Sequence, residues 1–597
     1  MIKMIGLFGI IAHEAALERE KRQAAFAKML AGVDGRDFHS EWLTGDHFSI
    51  GLTRRNCKGN KDLALKKIRE GFVTAFSGYG KLKGQRRLCW AEEMADKVAR
   101  IYEERGTDGL TKLEGSFACV IMKGRNLLIL ADRFSSKNLF YYQNEKAFLF
   151  APDVGRLIRS DMIPKAKNLD AARLIVTSGF FPDDSTLAKG IERFPYSTLM
   201  EGVASFPLEI RKRRYWEVRK QEGIVDKITP DLIASFKETL ERAVYELVSL
   251  EGNAIVPLSG GLDSRVIAYL VSKRQKLSTV TYDLGEEVNI SKRVCKALSG
   301  SRTYFSNRMI HSDGFTRALR EMSSSQNVHT VINQYFYTPL FKKYLVENQE
   351  VTALYDGIYL DGLFNVAYVF PSFEAEDFIR VYGKGANLPE FTSNMMTRRN
   401  LHSLLVKTYK QTQVGNHDAD GVGKSQKAYL MGRLRRYVLE TSASREAYAY
   451  VFKPGMDYDL VDFGYSLSLR LRKGVLYLAL LDTFSEIREI SYKDSYGIRP
   501  KTWAEKLKNA YSRFRFKVSY GTHGRLPYFP YQADWLFLSQ GEIDSYRDFF
   551  QNANYIKELF DAIELQTLFE DTKKKHYLFN LFQRVLFLQQ FYGLHGF

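Results

Sequence analysis

The segment AIVPLSGGLDS at residues 254–264 constrains the fold of this chain more than any other stretch. Its first five residues form a short apolar run that is typical of a buried parallel strand. Two glycines lie in the turn that follows, and the next segment, RVIAYLV, has helical character. A strand, a tight glycine turn and a helix N-terminus together create an anion site, because backbone N–H groups and the helix dipole face the ligand. Asp263 adds a carboxylate, and a carboxylate beside a phosphate usually requires Mg²⁺ between the two.

This loop lacks the Gly-x-x-x-x-Gly-Lys-Ser/Thr pattern of the Walker loop. It resembles the SGGxDS loop of the PP-loop ATPases, which split ATP into AMP and pyrophosphate to activate a carboxylate or carbonyl oxygen. The resemblance implies ATP and Mg²⁺ as cofactors. The positions that match its pyrophosphate-binding residues are Ser259, Gly260, Gly261, Asp263 and Ser264. Leu258 matches the position that contacts the nucleotide, and Val280, on the next predicted strand, matches the position that contacts adenine.

Length, composition and charge limit the class of protein. The 597 residues suggest several domains, and an apolar content of 45% is enough to bury large cores. No run of about 18 apolar residues occurs, so no membrane span is predicted. The four cysteines are scattered without the spacing of a metal site, which favours a reducing cytoplasmic location. A formal net charge of +18 leaves a nucleic acid partner open, but a solvated basic surface is the favoured interpretation.

Strand and helix patterns divide the chain into three regions. Residues 1–215 contain alternating and short apolar runs, which predict a β-rich unit. Residues 225–500 contain the glycine loop and then become mostly helical, which predicts an α/β domain with a parallel sheet. Residues 501–597 are basic and then amphipathic, and they predict a mostly helical extension.

Motifs in both halves resemble those of the asparagine synthetase family, in the family's order. The segments LEGSFA at 113–118 and ADRFSSKNLFY at 131–141 are similar to strands of a class II glutamine amidotransferase domain. The segment TLAKGIERFP at 186–195 is similar to the end of that domain. The resemblance implies an α/β protein with an N-terminal Ntn-hydrolase-like αββα sandwich, followed by a PP-loop ATPase domain. The resemblance covers residues 4 to about 500 and does not include the last hundred residues or so.

The nucleophile of that amidotransferase domain is replaced. In the family, a processed N-terminal Cys supplies the nucleophilic thiol and its own terminal amine acts as the base. Ile5 stands at that position, within Met4-Ile5-Gly6. The family's Asn-Gly-Glu, which holds glutamine, has only the segment FSGY at 76–79 as its nearest counterpart. We therefore predict a folded domain without glutaminase activity, so that ammonia or an amine supplies the nitrogen directly.

The synthetase half keeps part of a second family motif. The segment DGIYLDGLF at 356–364 resembles S-G-E-G-x-D-E-x-F. Gly357 is kept at a nucleotide-binding position, and Asp361 is predicted to be the second Mg²⁺ ligand, across the pyrophosphate from Asp263. Ile358 replaces the family's catalytic Glu, and the candidates to substitute for that acid are Tyr355, Asp356 and Tyr359.

Two lysines are the candidate catalytic residues. The segment KGVLY at 473–477 resembles the family's K-x-x-L-R, whose Lys contacts the phosphates or the transition state. Lys473 is therefore predicted to stabilise the charge of the departing pyrophosphate. Lys493 matches a basic position near the same site.

The favoured hypothesis is a cytoplasmic ligase that adenylates a substrate carboxylate and forms an amide with ammonia or an amine. The carboxylate belongs to a small molecule, a peptide or a glycan, and a homodimer is left open. β-Lactam and lasso-peptide macrolactam synthetases, which also lack the Cys, are a close alternative, favoured by Arg265, Ile358 and the basic surface. A tRNA-modifying PP-loop enzyme fits the loop and the charge but has no amidotransferase-like domain. A non-catalytic homologue fits the losses at both sites but not the retained Asp263, Asp361 and Lys473.

Overall fold

A computed structural model gives the structure of most of the chain. The described residues are 5–31, 38–55, 60–218, 224–282, 286–298, 302–306, 319, 344–345, 348, 351–366, 369–382, 398–414, 420–494, 497–499, 554–556, 558–560, 565–566, 568 and 579–597. Most of the predicted C-terminal extension, including residues 501–553, therefore lies outside the described part.

Two antiparallel sheets are built from the first 214 residues. The first sheet contains, in spatial order, β11 (Glu192–Arg193), β9 (Phe140–Gln143), β10 (Ala147–Ala151), β1 (Gly6–Ala12), β3 (Phe48–Arg55) and β2 (Phe38–Thr44). The second contains β13 (Glu209–Arg214), β12 (Thr198–Val203), β8 (Asn126–Ala131), β7 (Leu113–Lys123), β5 (Phe72–Leu82) and β4 (Leu63–Arg69), with β6 (Cys89–Trp90) paired to β5.

The side chains of β1 show how these sheets are layered. Successive residues of a strand point to opposite faces. Leu7 and Ile11 pack into the core between the two sheets, whereas Phe8 and Ile10 pack into a second core on the outer face. Because both faces of β1 are covered, the strand is apolar throughout and every one of its residues is buried.

Helices cover the outer face of each sheet. The first sheet is covered by α1 (Arg19–Leu30), α3 (Val154–Arg159) and α4 (Leu169–Ser178). The second sheet is covered by α2 (Ala91–Leu110). The layer order is helix, sheet, sheet, helix, so the predicted αββα sandwich is confirmed.

A parallel sheet forms the centre of the synthetase half, as predicted. Its spatial order is β16 (Arg302–Ser306), β15 (Ser278–Tyr282), β14 (Ala254–Pro257), β17 (Ala353–Tyr355) and β18 (Tyr450–Phe452). Every adjacent pair is parallel. The chain enters this sheet through α5 (Pro230–Leu250), whose start is defined by Pro230 in the first turn and by the Thr229 hydroxyl, which accepts from the Leu232 N–H at 3.1 Å.

The rest of the synthetase half is mainly helical among the described residues. Its helices are α6 (Leu262–Ser272), α7 (Glu286–Ala297), α8 (Leu360–Phe364), α9 (Ala375–Tyr382), α10 (Arg398–Thr412), α11 (Gly421–Ala428), a π-helix (Tyr429–Leu439), α12 (Glu440–Glu446), α13 (Tyr458–Ser466), α14 (Leu469–Arg472) and α15 (Val475–Leu481). A short 3₁₀ turn (Pro454–Met456) precedes α13, and a hairpin of β19 (Tyr492–Asp494) and β20 (Gly497–Arg499) follows α15. None of the helices in the described ranges is long and apolar enough to cross a membrane.

The C-terminal helix returns to the N-terminal domain. This helix, α16 (Phe579–His595), follows a 3₁₀ turn at Asn554–Ile556 and shares a core with α4. Arg584 is half-buried against that helix and donates to the Val176 carbonyl at 2.8 Å. The described part of the extension therefore packs on the first domain rather than continuing away from the second.

Candidate active site

The glycine loop follows β14 and leads into α6, as the sequence predicts. The Ser259 N–H donates to the Ser264 hydroxyl oxygen at 3.0 Å, and the two hydroxyl oxygens are also 3.0 Å apart. The Gly261 N–H donates to the Ser259 hydroxyl at 3.2 Å, so the loop folds back over the first turn of the helix. Unlike α5, α6 begins without a capping side chain. Its first N–H groups therefore suit a phosphate.

Leu258 and Val280 lie next to each other at the carboxyl edge of the parallel sheet. The Leu258 N–H donates to the Val280 carbonyl at 2.9 Å, and the Thr281 hydroxyl donates to the Leu258 carbonyl at 2.8 Å. Ligands of open α/β sheets bind outside this edge. The two positions predicted to contact the nucleotide are thus brought together beside the loop.

Gly357 lies directly against the start of α6. A Cβ atom at this position would be 3.1 Å from the Asp263 Cβ and 3.2 Å from the Ser264 nitrogen. A side chain here would press on the carboxylate that the sequence predicts to bind Mg²⁺. Glycine at 357 is therefore explained by this close approach of two backbone segments.

The predicted metal ligands Asp263 and Asp361 interact electrostatically. Burial raises the pKa of Asp263, and the negative charge of Asp361 raises it further. Burial also raises the pKa of Asp361, while the Gly362 N–H, at 2.8 Å from its Oδ1, and the charge of Arg433 act against that rise. Within the described residues, Oδ1 of Asp263 is shielded from solvent and has no hydrogen-bond partner. Two adjacent carboxylates with an unpaired oxygen fit a divalent cation.

Two tyrosines and an arginine at this site were not predicted from the sequence. Tyr477, on α15, places its hydroxyl beside Asp263, where it works to lower the pKa of that carboxyl. Tyr429 and Arg433, on the π-helix, act on Asp361 in the same direction. Helical spacing places Tyr429 and Arg433 on one face, but only the tertiary packing of the π-helix brings that face to Asp361.

The backbone of Lys473 lies beside the end of α8, the helix that carries Asp361. It forms an isolated antiparallel bridge with Asn365, directly after α8, and the next residue, Gly474, donates to the Phe364 carbonyl at 2.9 Å. Its side chain is exposed and forms no ion pair among the described residues. Lys473 is therefore available to an anion, whereas its contact with one stays a prediction.

Lys493 belongs to β19, but its side chain lies outside the described part of the structure. The chain just before this strand is fixed to the loop's own helix. Arg265 is buried and donates to the carbonyls of Ile490 and Ser491, both at 2.7 Å. Burial, with a contribution from Arg293, lowers the pKa of Arg265 to about 10. Arg265 thus ties the segment carrying Lys493 to α6.

The residues around Ile358 have structural partners. Ile358 packs against the core of the synthetase half. Of the three candidates to replace the family's acid, Tyr355 donates to the Glu251 carbonyl at 2.7 Å. Asp356 forms an ion pair with Arg445 at 2.6 Å. Tyr359 is buried, and its hydroxyl has no hydrogen-bond partner within the described residues.

In the N-terminal domain, Ile5 packs against the core between the two sheets. Gly78, within the nearest counterpart of the glutamine-holding motif, has φ +104°, and a Cβ there would lie 1.9 Å from the Ser116 carbonyl oxygen. The cysteines among the described residues, Cys89, Cys119 and Cys295, are buried in other elements. Whether the domain lacks glutaminase activity stays a prediction.

Comparison with known proteins agrees with this architecture. A family model described as a glutamine amidotransferase domain matches residues 80–216, and one described as asparagine synthase matches residues 235–405. The curated protein "Asparagine synthetase [glutamine-hydrolyzing] 2" of Bacillus subtilis (strain 168) is 25% identical over 198 residues, which are 31% of this chain and 26% of that protein. The alignment therefore spans about a quarter of the relative's length.

Two solved structures align with the chain, and both have a TM-score of 0.23 and 10% identity. The allosteric regulatory enzyme of purine biosynthesis covers 51% of this chain and is itself covered to 81%. The glutamine phosphoribosylpyrophosphate amidotransferase from B. subtilis covers 70% and is covered to 94%. Similarity at this level carries no argument about fold or function. The two domain matches, in this order and together with the curated relative, support a relationship of this chain to the asparagine synthetase family.

Proposed function

We propose that this protein is an ATP-dependent ligase that adenylates a substrate carboxylate and joins it to ammonia or an amine, releasing AMP and pyrophosphate. The observation that carries the proposal is the Asp263–Asp361 pair beside an uncapped helix N-terminus. Such a pair costs free energy unless a cation neutralises it, so its presence beside a phosphate-binding loop supports a Mg·ATP site.

The residues present fit Mg²⁺. Asp263 and Asp361 would hold the ion, since the Oδ1 atom of Asp263 is buried and has no partner in the part of the chain that the structure describes. When bound, the ion would neutralise charge on the phosphates and so favour departure of pyrophosphate. The loop N–H groups and hydroxyls of Ser259 and Ser264 would bind the phosphate oxygens. Lys473 would add a positive charge as negative charge builds on the leaving pyrophosphate.

The reaction balances without a redox partner. A carboxylate oxygen attacks the α-phosphorus of ATP, the bond to the β-phosphate oxygen breaks, and pyrophosphate leaves with the electron pair. An amine nitrogen then attacks the acyl carbon, AMP leaves, and one proton is lost from nitrogen. A mixed anhydride is sensitive to water, so the packing of the sheet edge has to exclude solvent during the two steps.

Intramolecular amide formation, as in β-lactam or lasso-peptide synthetases, is the second candidate. It is favoured by Ile5 in place of the nucleophile and by Ile358, packed in the core where the family has an acid. A substrate that carries its own amine needs neither a glutaminase nor an acid at position 358. The match to a glutamine amidotransferase domain argues against a tRNA-modifying enzyme, because tRNA-modifying PP-loop enzymes have no such domain.

Release of AMP and pyrophosphate from Mg·ATP tests the proposal, with aspartate as the carboxylate and either ammonium or glutamine as nitrogen source. We expect release with ammonium and none with glutamine alone. Binding of Mg·ATP without turnover of aspartate would favour the second candidate and its specialised carboxylate. Absence of Mg·ATP binding would contradict the proposed function.

A further inference from the structure

The loop that carries Asp361 contains a residue in an unfavourable backbone conformation. Tyr359 has φ +77°, in the left-handed region that a bulky side chain rarely adopts. Its ring lies 5.2 Å from the ring of Phe134, which belongs to the N-terminal domain. Phe134 in turn packs on Tyr458 at 6.3 Å, and the Tyr458 hydroxyl accepts from the Arg133 N–H at 2.9 Å. The strained turn before Asp361 is thus held by a loop of the other domain.

The π-helix provides a second connection between Asp361 and the N-terminal domain. The π-helix packs closely on α8 at Gly362. A Cβ atom added at Gly362 would lie only 2.6 Å from Leu434 Cδ1 and 3.2 Å from Tyr429 Cε1. Long π-helices are rare, and π-helical turns occur frequently at functional sites. The side of this helix that carries Tyr429 and Leu434 faces the segment of the predicted metal ligand Asp361.

The other side of the π-helix is fixed by buried arginines. Arg435 forms an ion pair with Asp184 and donates to the Phe194 carbonyl. The neighbouring Arg436 donates to the Asp183 carbonyl and, at 2.8 Å, to Glu440. Burial works to raise the pKa of Asp184, but the charges of Arg435 and Arg436 outweigh it and hold that pKa below its ordinary value. Asp184 belongs to the N-terminal domain, so its ion pair with Arg435 exists only while the two domains are docked.

The Tyr359 side chain joins the two connections. Its ring packs in the same buried apolar cluster as Phe134 of the N-terminal domain and Leu434 of the π-helix. The turn before Asp361 and the helix packed behind it therefore contact the N-terminal domain at one continuous interface.

We propose that the N-terminal domain acts as a brace that holds Asp361 in position for the metal, with Phe134 and Tyr359 on one side and Asp184 and Arg435 on the other. These four are positioning residues and do not touch the reacting atoms. The inference rests on the proposed Mg·ATP site. It gives the amidotransferase-like domain a role that does not require glutaminase chemistry.

Two variants on the braced interface and one matched control test this proposal in the full-length protein. Asp184→Asn removes the ion pair on the π-helix, and Phe134→Leu removes the aromatic contact with Tyr359. Lys81→Met is the control. It breaks an ion pair of similar burial between the same two domains, with Glu246 at 2.7 Å, that touches neither α8 nor the π-helix. The measured quantity is the Mg²⁺ concentration needed for half-maximal ATP binding, together with the melting temperature.

We expect Asp184→Asn and Phe134→Leu each to raise the required Mg²⁺ concentration about tenfold or more. Lys81→Met is expected to change the required Mg²⁺ concentration by less than about twofold. Its melting temperature is expected to fall by about as much as that of the two interface variants. Asp184→Glu, which keeps the charge, is expected to restore most of the Mg²⁺ response.

An unchanged Mg²⁺ requirement in both interface variants would overturn the brace while leaving the proposed function intact. An equal rise in the Lys81→Met variant would also overturn it, since general domain docking would then suffice. If the wild-type protein shows no Mg²⁺-dependent ATP binding, the proposed function itself fails, and the brace fails with it.

Discussion

Each half of the chain has an aspartate beside a turn, and the two carboxylates have opposite surroundings. Asp132, after β8, accepts hydrogen bonds from the N–H groups of Phe117, Phe134 and Ser136, at 2.9, 2.8 and 3.1 Å. Asp263, the second residue of α6, faces a second carboxylate, and its buried Oδ1 atom has no hydrogen-bond partner among the described residues. A satisfied buried carboxylate stabilises a loop, whereas an unsatisfied one destabilises the fold and has to be explained by a ligand.

This difference distinguishes a carboxylate that stabilises the fold from one that is placed to bind a ligand. In the N-terminal domain, the motif that carries Asp132 shapes the loop that docks on the synthetase half, through Arg133 and Phe134. In the synthetase half, the buried Oδ1 atom of Asp263 has no hydrogen-bond partner among the described residues, and the carboxylate of Asp361 lies close to it. Resemblance to a family motif alone does not distinguish these two roles, but the hydrogen-bond partners of each carboxylate do.

Asp263→Asn is expected to have the largest effect. Loss of the metal ligand should lower AMP release by about a thousandfold or more, since the ion neutralises the departing pyrophosphate. The variant should nevertheless be more stable than wild type without ligand by about 1 kcal/mol near pH 8, because the pKa of Asp263 is raised by burial. Pyrophosphate release and thermal melting check the two effects. Asp482→Asn, an exposed aspartate after α15, is the control, and a loss of stability in Asp263→Asn would contradict the comparison.

Lys473→Ala is expected to have the second largest effect. Removing a charge that stabilises pyrophosphate in the transition state should lower kcat about a hundredfold, with little change in the KM for ATP. Steady-state kinetics of AMP formation give both constants. A change in KM alone would mean that Lys473 binds the nucleotide in the ground state only.

Asp132→Asn should affect stability rather than chemistry. The amide offers one acceptor where the carboxylate accepts from three N–H groups, so unfolding should become easier by about 2 to 3 kcal/mol. Denaturant unfolding measures this change, and Mg·ATP binding by the remaining folded protein should stay close to wild type. A selective loss of nucleotide binding at unchanged stability would show that the two aspartates do not differ as described.

The affinity for Mg²⁺ in the presence of ATP should rise with pH. Both carboxylates bind the ion only when deprotonated, and burial raises the pKa of each above its ordinary value. At pH 6 a proton competes with the ion, whereas at pH 8 this competition is weaker. We expect at most about a tenfold change per pH unit, measured by titration calorimetry at pH 6, 7 and 8. A flat profile would indicate that the pair is already ionised at pH 6.

The smallest effect is expected from restoring the cysteine. Ile5→Cys in a chain that begins at residue 5 supplies a thiol and a terminal amine, but the motif that holds glutamine is still absent. Glutamate release from glutamine should therefore stay at background, measured with wild type trimmed in the same way as control. Measurable glutaminase activity would show that Ile5 alone separates this domain from active relatives.

Much of the architecture was predictable from local patterns. The run 254–264 specifies a strand, a turn and the start of a helix, because an apolar run followed by two glycines and a helical pattern has few alternative structures. The continuous apolar run of β1 indicates two covered faces, and the parallel sheet follows from its βαβ spacing. The order of the two domains was likewise evident from motifs that the family matches later confirmed.

The sequence by itself determined the two domain types, the glycine loop and the candidate acids, since each motif consists of residues close together in the chain. Only the tertiary structure decided what surrounds those acids. Tyr477, Tyr429 and Arg433 reach the site from distant helices, and α16 folds back from the end of the chain onto the N-terminal domain. Such contacts depend on how whole elements pack, and packing is set by burial summed over many side chains, which no local pattern records.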